Sequence, residues 1–251
     1  MVLRPNWAAP TNITAFSSLR GSGHSTGVYR GLNLGHHVGD APDAVAANRQ
    51  QLSTELPAQT AIQWLSQVHG SDVVIAGAGA EYPEADACFS RVPGRACAIL
   101  TADCLPVLFC DRAGTVVAAA HAGWRGLLGG VLEATVSAMG VPGEDLLAWL
   151  GPAIGPGAFE IGPEVRSLFL EAEDAASRAA VGACFQVNPQ RSEHFFANIY
   201  QLARLRLAGV GVGQVSGGEY CTFTDSQRFY SYRRNGTTGR MASLICLNPS
   251  R

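Results

Sequence analysis

Short apolar runs bounded by turn residues dominate the first half of the chain. They occupy residues 61–65, 72–76, 96–100, 106–110 and 115–120. Runs of this length between turn residues are typical of buried β-strands. The tripeptide Arg-Ala-Gly at 112–114 separates the last two runs, which predicts a tight connection between neighbouring strands.

Helical periodicity is confined to four longer segments. They cover residues 43–56, 127–139, 163–173 and 192–209. Gly140 ends the second segment and Gly209 ends the fourth, as expected where a helix stops. The glycine-rich stretch 209–218 is predicted to be flexible. Strands followed by separated helices predict a mixed α/β or α+β fold, which we assign to one domain over residues 1–251.

The charge balance argues against a polyanionic partner. Lysine and arginine total 18, aspartate and glutamate total 20, and the formal net charge is −2. The chain therefore lacks the basic footprint of a nucleic-acid-binding protein. Its opening residues contain no apolar h-region, and no apolar run approaches the roughly 18 residues of a transmembrane helix. We expect a soluble, cytoplasmic protein without a nucleic-acid or membrane partner.

The cysteine pattern favours reduced thiols. Seven cysteines occur without regular spacing in a chain too long to need a disulfide framework. Five of them lie among apolar neighbours and are predicted to fill core space: Cys88, Cys97, Cys110, Cys184 and Cys246. Cys104 differs, because the segment TADCLP places it between an aspartate and a Leu-Pro step.

Two common active-site motifs indicate no function here. The segment GHSTG at residues 23–27 matches G-x-S-x-G, but turn-like segments flank it instead of the strand and helix of a nucleophile elbow. The chain contains neither a P-loop nor a G-x-G-x-x-G dinucleotide motif.

Three residues whose side chains can bind a metal lie at or near the ends of apolar runs. His69 lies between the runs 61–65 and 72–76, Cys104 follows 96–100, and His121 ends 115–120. Strand ends can converge at one sheet edge whatever their separation in sequence. Two imidazoles and one thiolate form a suitable zinc set whose open fourth position can activate a water molecule.

The spacing by itself leaves two interpretations of these residues open. In the first, the three residues hold zinc, and Asp103 or Asp86 orients a ligand histidine. In the second, each histidine is a hydrogen-bonded structural residue at a strand end, and the cysteine belongs to the core.

Several longer segments resemble one known family. They include QVHGSDV, TADCLP, AAAHAGWRGL, LGPAIGPGAFEIGPEV and YCTFTDSQRFYSYRRNGTTGRMASLI, and together with GLNLGHHVGDAPDAVAANRQQL they lie between residues 16 and 247. In these segments the chain resembles the YfiH/YlmD-like family. That family is also called the laccase-domain or multicopper polyphenol oxidase family, and its members are now regarded as purine nucleoside phosphorylases.

The resemblance implies both a fold and a function. It implies a single α/β domain with mixed β-sheets flanked by helices, similar to the Cys-His deamidase fold of bacterial toxins. It implies that His69, Cys104 and His121 bind a catalytic zinc ion. The activities implied are phosphorolysis of adenosine, inosine, guanosine and methylthioadenosine, together with adenosine deamination. Purine nucleoside and phosphate would be the partners, in purine salvage, with the oligomeric state left open.

Phosphate as a substrate needs cationic or amide donors. Arg125, close to His121, is the leading candidate, and backbone N–H groups of the turn at 123–126 can add to it. Other candidate cations, each of which can equally form a surface ion pair, are Arg20, Arg49, Arg233, Arg234 and Arg240. Asn33 and Gln67 are predicted to hydrogen-bond ribose or base.

Three alternative functions remain open at this point. The first, copper-dependent polyphenol oxidation, is disfavoured, because the chain has three methionines and only four histidines besides His69 and His121, too few for a laccase-type cluster. The second, a metal-free hydrolase or deamidase, would use Cys104 as nucleophile and His69 or His121 as base. The third is a zinc-binding module without catalysis.

Overall fold

The computed structural model describes residues 2–249 and contains three β-sheets with seven α-helices. The strands are β1 (Val2–Leu3), β2 (Ile13–Ser18), β3 (Ala61–Gln63), β4 (Val73–Ile75), β5 (Ala87–Ser90), β6 (Arg95–Thr101), β7 (Leu105–Asp111), β8 (Val117–Ala122), β9 (Leu146–Leu150), β10 (Glu160–Ile161), β11 (Phe185–Asn188), β12 (Arg191–Ala197), β13 (Gln214–Gly217) and β14 (Met241–Leu247). The helices are α1 (Pro42–Ser53), α2 (Trp124–Leu128), α3 (Val131–Met139), α4 (Pro163–Glu171), α5 (Arg178–Gly182), α6 (Ile199–Gly209) and α7 (Tyr232–Asn235). The predicted mixed α/β class, with helices flanking mixed sheets, is confirmed. No helix among these residues has the length and hydropathy needed to cross a bilayer.

All five strands predicted from the apolar runs are present, as β3, β4, β6, β7 and β8. The connection predicted at 112–114 joins β7 to β8, which pair antiparallel with Leu105 opposite Ala122. The carboxylate of Asp111 closes this turn by accepting hydrogen bonds from the backbone N–H of Thr115 and Val116 and from the Thr115 hydroxyl.

Two sheets face each other across the central core. The five-stranded sheet has the order β1-β2-β14-β6-β3, and the six-stranded sheet has the order β13-β9-β7-β8-β5-β4. Ile99 and Ile245 from the first sheet pack with Leu108 and Ala119 from the second, all fully buried. Helix α3 covers the opposite face of β8, so residues 117–120 of that strand are all apolar instead of alternating.

The segment predicted as one helix at 192–209 is two elements, and the prediction is wrong for its first part. Residues Arg191–Ala197 form β12, which pairs antiparallel with β10 and β11 in the third sheet. The Asn198 side chain then accepts a hydrogen bond from the backbone N–H of Gln201 and caps α6. Strand pairing therefore overrides the helical pattern as far as this cap.

Two other predicted elements are also corrected. The helix predicted at 127–139 is interrupted at Gly130, whose φ of +87° favours glycine, so that α2 ends before α3 begins. The stretch 209–218, predicted to be flexible, contains β13, which pairs in parallel with β9 at the edge of the six-stranded sheet.

The predicted state of the cysteines is confirmed. All seven thiols are free, and the five assigned to the core are buried.

Candidate metal centre

His69, Cys104 and His121 converge although they come from separate parts of the chain. One ligand atom from each lies within 4.8 Å of the other two, in an arrangement that could hold a metal ion. The Cys104 Sγ lies 3.8 Å from the His69 Nε2, and the two imidazole centroids are 4.7 Å apart.

Each of these three side chains is presented by a different local structure. His121 lies in β8 and is almost completely buried. Cys104 lies in the turn where the chain leaves the five-stranded sheet in β6 and enters the six-stranded sheet in β7. His69 lies in the loop between β3 and β4 and has a φ of +64°, a left-handed conformation that is unusual for histidine.

The buried carboxylate of Asp86 explains how this loop and His121 are held together. It accepts hydrogen bonds from the backbone N–H groups of Val68, His69 and Gly70 at 3.1, 3.0 and 2.6 Å. It also lies 2.7 Å from the Nδ1 of His121. Because the Nδ1 proton is donated to this carboxylate, Nε2 is the His121 nitrogen that can bind a metal once it has lost its own proton. Asp86 therefore orients a candidate ligand histidine.

Asp103 is the other carboxylate that the sequence offered for orienting a ligand histidine, and it binds groups in a different region of the chain. It accepts hydrogen bonds from the Thr222 hydroxyl at 2.6 Å, the Ser231 hydroxyl at 2.9 Å and the Arg233 backbone N–H at 2.7 Å. Its φ of +95° turns the chain immediately before Cys104. Asp103 thus joins the turn that carries Cys104 to the C-terminal part of the chain.

The charges of these groups reinforce one another. Burial opposes a thiolate at Cys104, but the charge of His121 and hydrogen bonds from both histidines outweigh it and lower its pKa to about 6. Burial likewise opposes an imidazolium at His121, but the Cys104 charge and the Asp86 hydrogen bond raise its pKa to about 9. Burial would raise the pKa of Asp86, yet His121 and the loop N–H groups lower it. The chain by itself therefore favours a thiolate beside an imidazolium, with a carboxylate behind it.

Gly123 leaves the space that a bound ion needs. A Cβ at this position would lie 2.9 Å from the His69 Cδ2 and 3.1 Å from the Cys104 Sγ. For tetrahedral zinc, bond lengths of ~2.0–2.1 Å to nitrogen and ~2.3 Å to sulfur place those two ligands about 3.5 Å apart. The separation of 3.8 Å between Cys104 and His69 is close to that value. The donor set and the free space fit zinc.

A cavity of about 440 Å³ opens over these three residues. Its size lies within the range of small-molecule sites. One part of its wall is apolar and aromatic, formed by Leu100, Ala102, Trp124, Ile154, Phe159, Ile199 and Tyr232. The cationic part of the wall is formed by Arg125, Arg233 and Arg240.

Arg125 and Gln67, both predicted to contact substrate, line this cavity. The guanidinium of Arg125 lies over the Trp124 ring at 4.3 Å from its centroid. Gln67 also lines the cavity, but both ends of its amide bond to the backbone of Leu100, at 2.9 and 2.8 Å. Gln67 therefore holds the His69 loop against β6.

Three further candidates, Arg49, Arg20 and Asn33, lie outside the residues that line the cavity. Arg49 bonds to the Leu34 carbonyl and the Tyr82 hydroxyl and stacks on Trp64. Arg20 bonds to two backbone carbonyls and lies over the Tyr230 ring. Asn33 is fully buried, and its amide bonds to protein groups on both sides. The polar groups of Arg49 and Asn33, and part of the Arg20 guanidinium, are used within the protein, and the structure does not bring these three residues to the cavity.

Two arginines and the aromatic wall are more prominent in the cavity than the sequence pattern indicates. Arg233 and Arg240 line the cavity, whereas the neighbouring Arg234 bonds to carbonyls of Thr222, Phe223 and Phe229. Nothing in the spacing of these arginines distinguishes the ones that face the cavity.

Known proteins resemble this chain over nearly its full length. A family model described as multi-copper polyphenol oxidoreductase laccase matches residues 14–248. The purine nucleoside phosphorylase PA4543 of Pseudomonas aeruginosa is 54% identical over 98% of this chain and 98% of its own. The purine nucleoside phosphorylase YfiH of Escherichia coli is 53% identical over 97% of each chain.

Solved structures share the same fold. The Neisseria meningitidis protein NMB0706 superposes with a TM-score of 0.90 at 47% identity, covering 99% of both chains. YlmD from Geobacillus stearothermophilus superposes with a TM-score of 0.83 at 27% identity, covering 95% of this chain and 93% of its own.

Proposed function

This chain belongs to the family described as multi-copper polyphenol oxidoreductase laccase, and from that premise we propose that it is a zinc-dependent purine nucleoside phosphorylase that also deaminates adenosine. The observation that carries the proposal is the position of the His69–Cys104–His121 set beneath a cavity with aromatic and cationic walls. Relatives named purine nucleoside phosphorylases, at 53–54% identity, support the same reaction class. The proposed nucleosides are adenosine, inosine, guanosine and methylthioadenosine, with purine salvage as the role.

The phosphorolysis reaction requires two kinds of recognition in the cavity. A phosphate oxygen forms a bond to C1′ of the ribose, while the bond from C1′ to N9 breaks and its electron pair leaves with the purine. The purine then takes up a proton, so that the products are free base and ribose 1-phosphate. Trp124, Phe159 and Tyr232 provide apolar surface for the base, and the arginines that line the cavity provide positive charge for phosphate.

The three candidate ligands are already grouped within 4.8 Å of one another, and zinc binding would require His121 to release its Nε2 proton. Asp86 holds the proton on the His121 Nδ1, and the low pKa of Cys104 supplies a thiolate near neutral pH. When bound, zinc supplies a Lewis acid that stabilises negative charge developing on the substrate. Copper fits less well, because Met139 is buried in an apolar cluster and the Met241 sulfur accepts the Tyr230 N–H, so neither can supply an axial ligand.

A second candidate, a metal-free thiol hydrolase or deamidase, is favoured by one specific observation. Cys104, His121 and Asp86 are arranged as nucleophile, base and orienting carboxylate, and the pKa of the Cys104 thiol is lowered to about 6. Cys104 and His121 thus suit either chemistry, and metal dependence separates the two.

The deciding experiment measures metal content per chain together with product formation from inosine or adenosine. Wild type, Cys104→Ala and, as a matched control, Cys221→Ala are compared, because Cys221 is a free thiol outside the cavity lining. We expect about one zinc per chain and phosphate-dependent release of base in wild type and control, with both lost in Cys104→Ala. Ammonia release from adenosine without phosphate tests the deaminase activity.

Full activity after metal removal, abolished by alkylation of Cys104, would instead establish the thiol reaction. Zinc binding without release of base from any of the four nucleosides would contradict the phosphorylase assignment.

A further inference from the structure

The cavity has an excess of positive charge. Arg125, Arg233 and Arg240 line it, and Asp103 is the one carboxylate that does so. That carboxylate already accepts three hydrogen bonds from Thr222, Ser231 and the Arg233 backbone. Among residues 2–249, no ion pair joins any of these three arginines to a carboxylate. Cations that line a cavity without a carboxylate partner favour an anionic ligand, most strongly where the cation is partly buried.

Arg240 is held in place more firmly than the other two. It is half-buried, whereas Arg125 and Arg233 are exposed. Its backbone N–H donates to the Asn33 Oδ1 at 2.8 Å, and its carbonyl accepts from the Leu34 N–H at 3.1 Å. Its side chain passes directly over Gly35, where an added Cβ would lie 2.8 Å from the Arg240 Cγ.

The guanidinium of Arg240 uses only part of its hydrogen-bonding capacity. Its Nη1 donates to the carbonyls of Thr238 and Gly239 at 2.9 and 3.2 Å. Within the described part of the chain, the Nε and Nη2 groups make no such bond. These two N–H groups form one edge of the planar fork that binds two oxygens of a phosphate or carboxylate at once.

Arg240 lines the same cavity as the three candidate metal ligands. Burial lowers the pKa of Arg240, and the charges of Cys104 and Asp103 oppose that change. Once a divalent cation binds at His69, Cys104 and His121, the thiolate charge is compensated by the ion. Arg240 is then a half-buried cation beside a second cation, which increases the electrostatic need for an anion between them.

We propose that Arg240 is the phosphate-binding residue of this cavity, and that its Nε and Nη2 groups hold two oxygens of inorganic phosphate beside the metal ligands. Phosphate as the anion rests on the proposed phosphorylase function. Arg125 is the leading phosphate-binding candidate from the sequence. It contributes less to phosphate binding than Arg240, because it is exposed and rests against the Trp124 ring. Asn33, predicted to contact ribose or base, acts through Arg240 by fixing its backbone.

The test compares Arg240→Gln and Arg240→Lys with wild type, using Arg112→Gln as the control. Arg112 is exposed, bonds to a backbone carbonyl and does not line the cavity. We expect the glutamine variant to raise the phosphate KM about 10- to 100-fold while the inosine KM changes less than about 3-fold. The lysine variant, which keeps the charge but loses the fork, is expected to be intermediate, and Arg125→Gln to change the phosphate KM less than Arg240→Gln.

Direct binding of inorganic phosphate, measured by titration calorimetry on zinc-loaded and metal-free protein, separates this inference from the proposed function. Phosphate binding that weakens in the Arg240 variants supports the inference even if wild type releases no base, a result that would remove the phosphorylase function alone. The inference is overturned if the phosphate Kd is unchanged in Arg240→Gln, or if that variant changes only the binding of inosine. If that variant does not fold, an unchanged Kd in Arg240→Lys overturns it.

Discussion

At the scale of single residues, the carboxylate of Asp86 connects two of the three candidate metal ligands. It is fully buried, fixes the loop of His69 through three backbone N–H groups, and meets the Nδ1 of His121. One side chain therefore sets both the position of one ligand and the tautomer of another.

Asp86→Asn is predicted to weaken zinc binding about 10- to 100-fold, because an amide cannot accept from the loop N–H groups and from His121 at the same time. Competition with a chromophoric chelator measures this affinity, and the exposed Asp72→Asn serves as control. Zinc binding as tight as in wild type would show that Asp86 does not orient the ligands.

Gly123→Ala is predicted to reduce zinc content and activity together, because its Cβ would lie within 2.9 Å of the His69 ring and 3.1 Å of the Cys104 sulfur. The backbone conformation at Gly123 is open to alanine, with φ at −61°, so the folded structure should persist. Metal analysis measures the zinc content, and circular dichroism checks that the fold persists. Gly209→Ala serves as the control, because a Cβ at that position would meet no atom within 4 Å. Full zinc occupancy in Gly123→Ala would contradict the steric argument.

At the level of secondary structure, the antiparallel pairing of β7 with β8 places the end of β8, which carries His121, beside the turn that carries Cys104. Leu105, next to Cys104, is opposite Ala122, next to His121. The register of this pair, set at its far end by the turn that Asp111 closes, therefore determines whether the two ligands meet.

Asp111→Asn is predicted to destabilise the fold by about 1 kcal/mol near neutral pH, because the amide keeps the shape of the turn but loses the charge. Burial raises the pKa of Asp111, but hydrogen bonds from Thr115 and Val116 outweigh it and lower the pKa below its ordinary value. The stabilisation is thus complete above the unfolded-state pKa and is lost as the pH falls through the lower folded-state pKa.

The difference in free energy of unfolding between wild type and Asp111→Asn should therefore shrink as the pH falls below about 4. Urea unfolding of both proteins from pH 7 downwards measures it. A difference that stays constant over that range would mean that the charge of Asp111 contributes nothing to the turn.

At the scale of the whole molecule, the candidate metal centre lies where the chain passes between the two large sheets. The loop with His69 runs from β3 in the five-stranded sheet to β4 in the six-stranded sheet, and Cys104 lies in the turn from β6 to β7 between the same sheets. An ion held by these residues and by His121 in β8 would fasten both crossings to the six-stranded sheet.

Zinc is therefore predicted to stabilise the whole fold. At a free concentration 100 times the Kd, the gain is about 2.7 kcal/mol, which corresponds to a rise in Tm of roughly 5–10 °C for a chain of this size. Scanning calorimetry with zinc and with a chelator measures this shift, which Cys104→Ala should not show. An equal shift in both proteins would indicate zinc binding elsewhere.

The strands whose composition is controlled by burial were predictable from the chain alone, and the three candidate ligands could be named from it. The runs at β6, β7 and β8 are apolar because these strands are buried, and that property is local and visible in the chain. His69, Cys104 and His121 were identifiable because each interrupts such a pattern with ligand chemistry. The sequence also contains Gly123 and Asp86, but it does not reveal that position 123 must be a glycine to leave space beside the ligands. It also left open whether Asp86 or Asp103 orients the histidine.

Tertiary structure decided the features that depend on contacts between distant segments. Residues Arg191–Ala197 form β12 because β10 and β11 offer it backbone partners, and β13 is ordered by its pairing with β9. Arg49 stacks on Trp64, whereas Arg240 faces the cavity, although both are arginines in polar surroundings along the chain. A cation's role depends on which carbonyls, rings and charges surround it after folding, and local sequence does not contain that information.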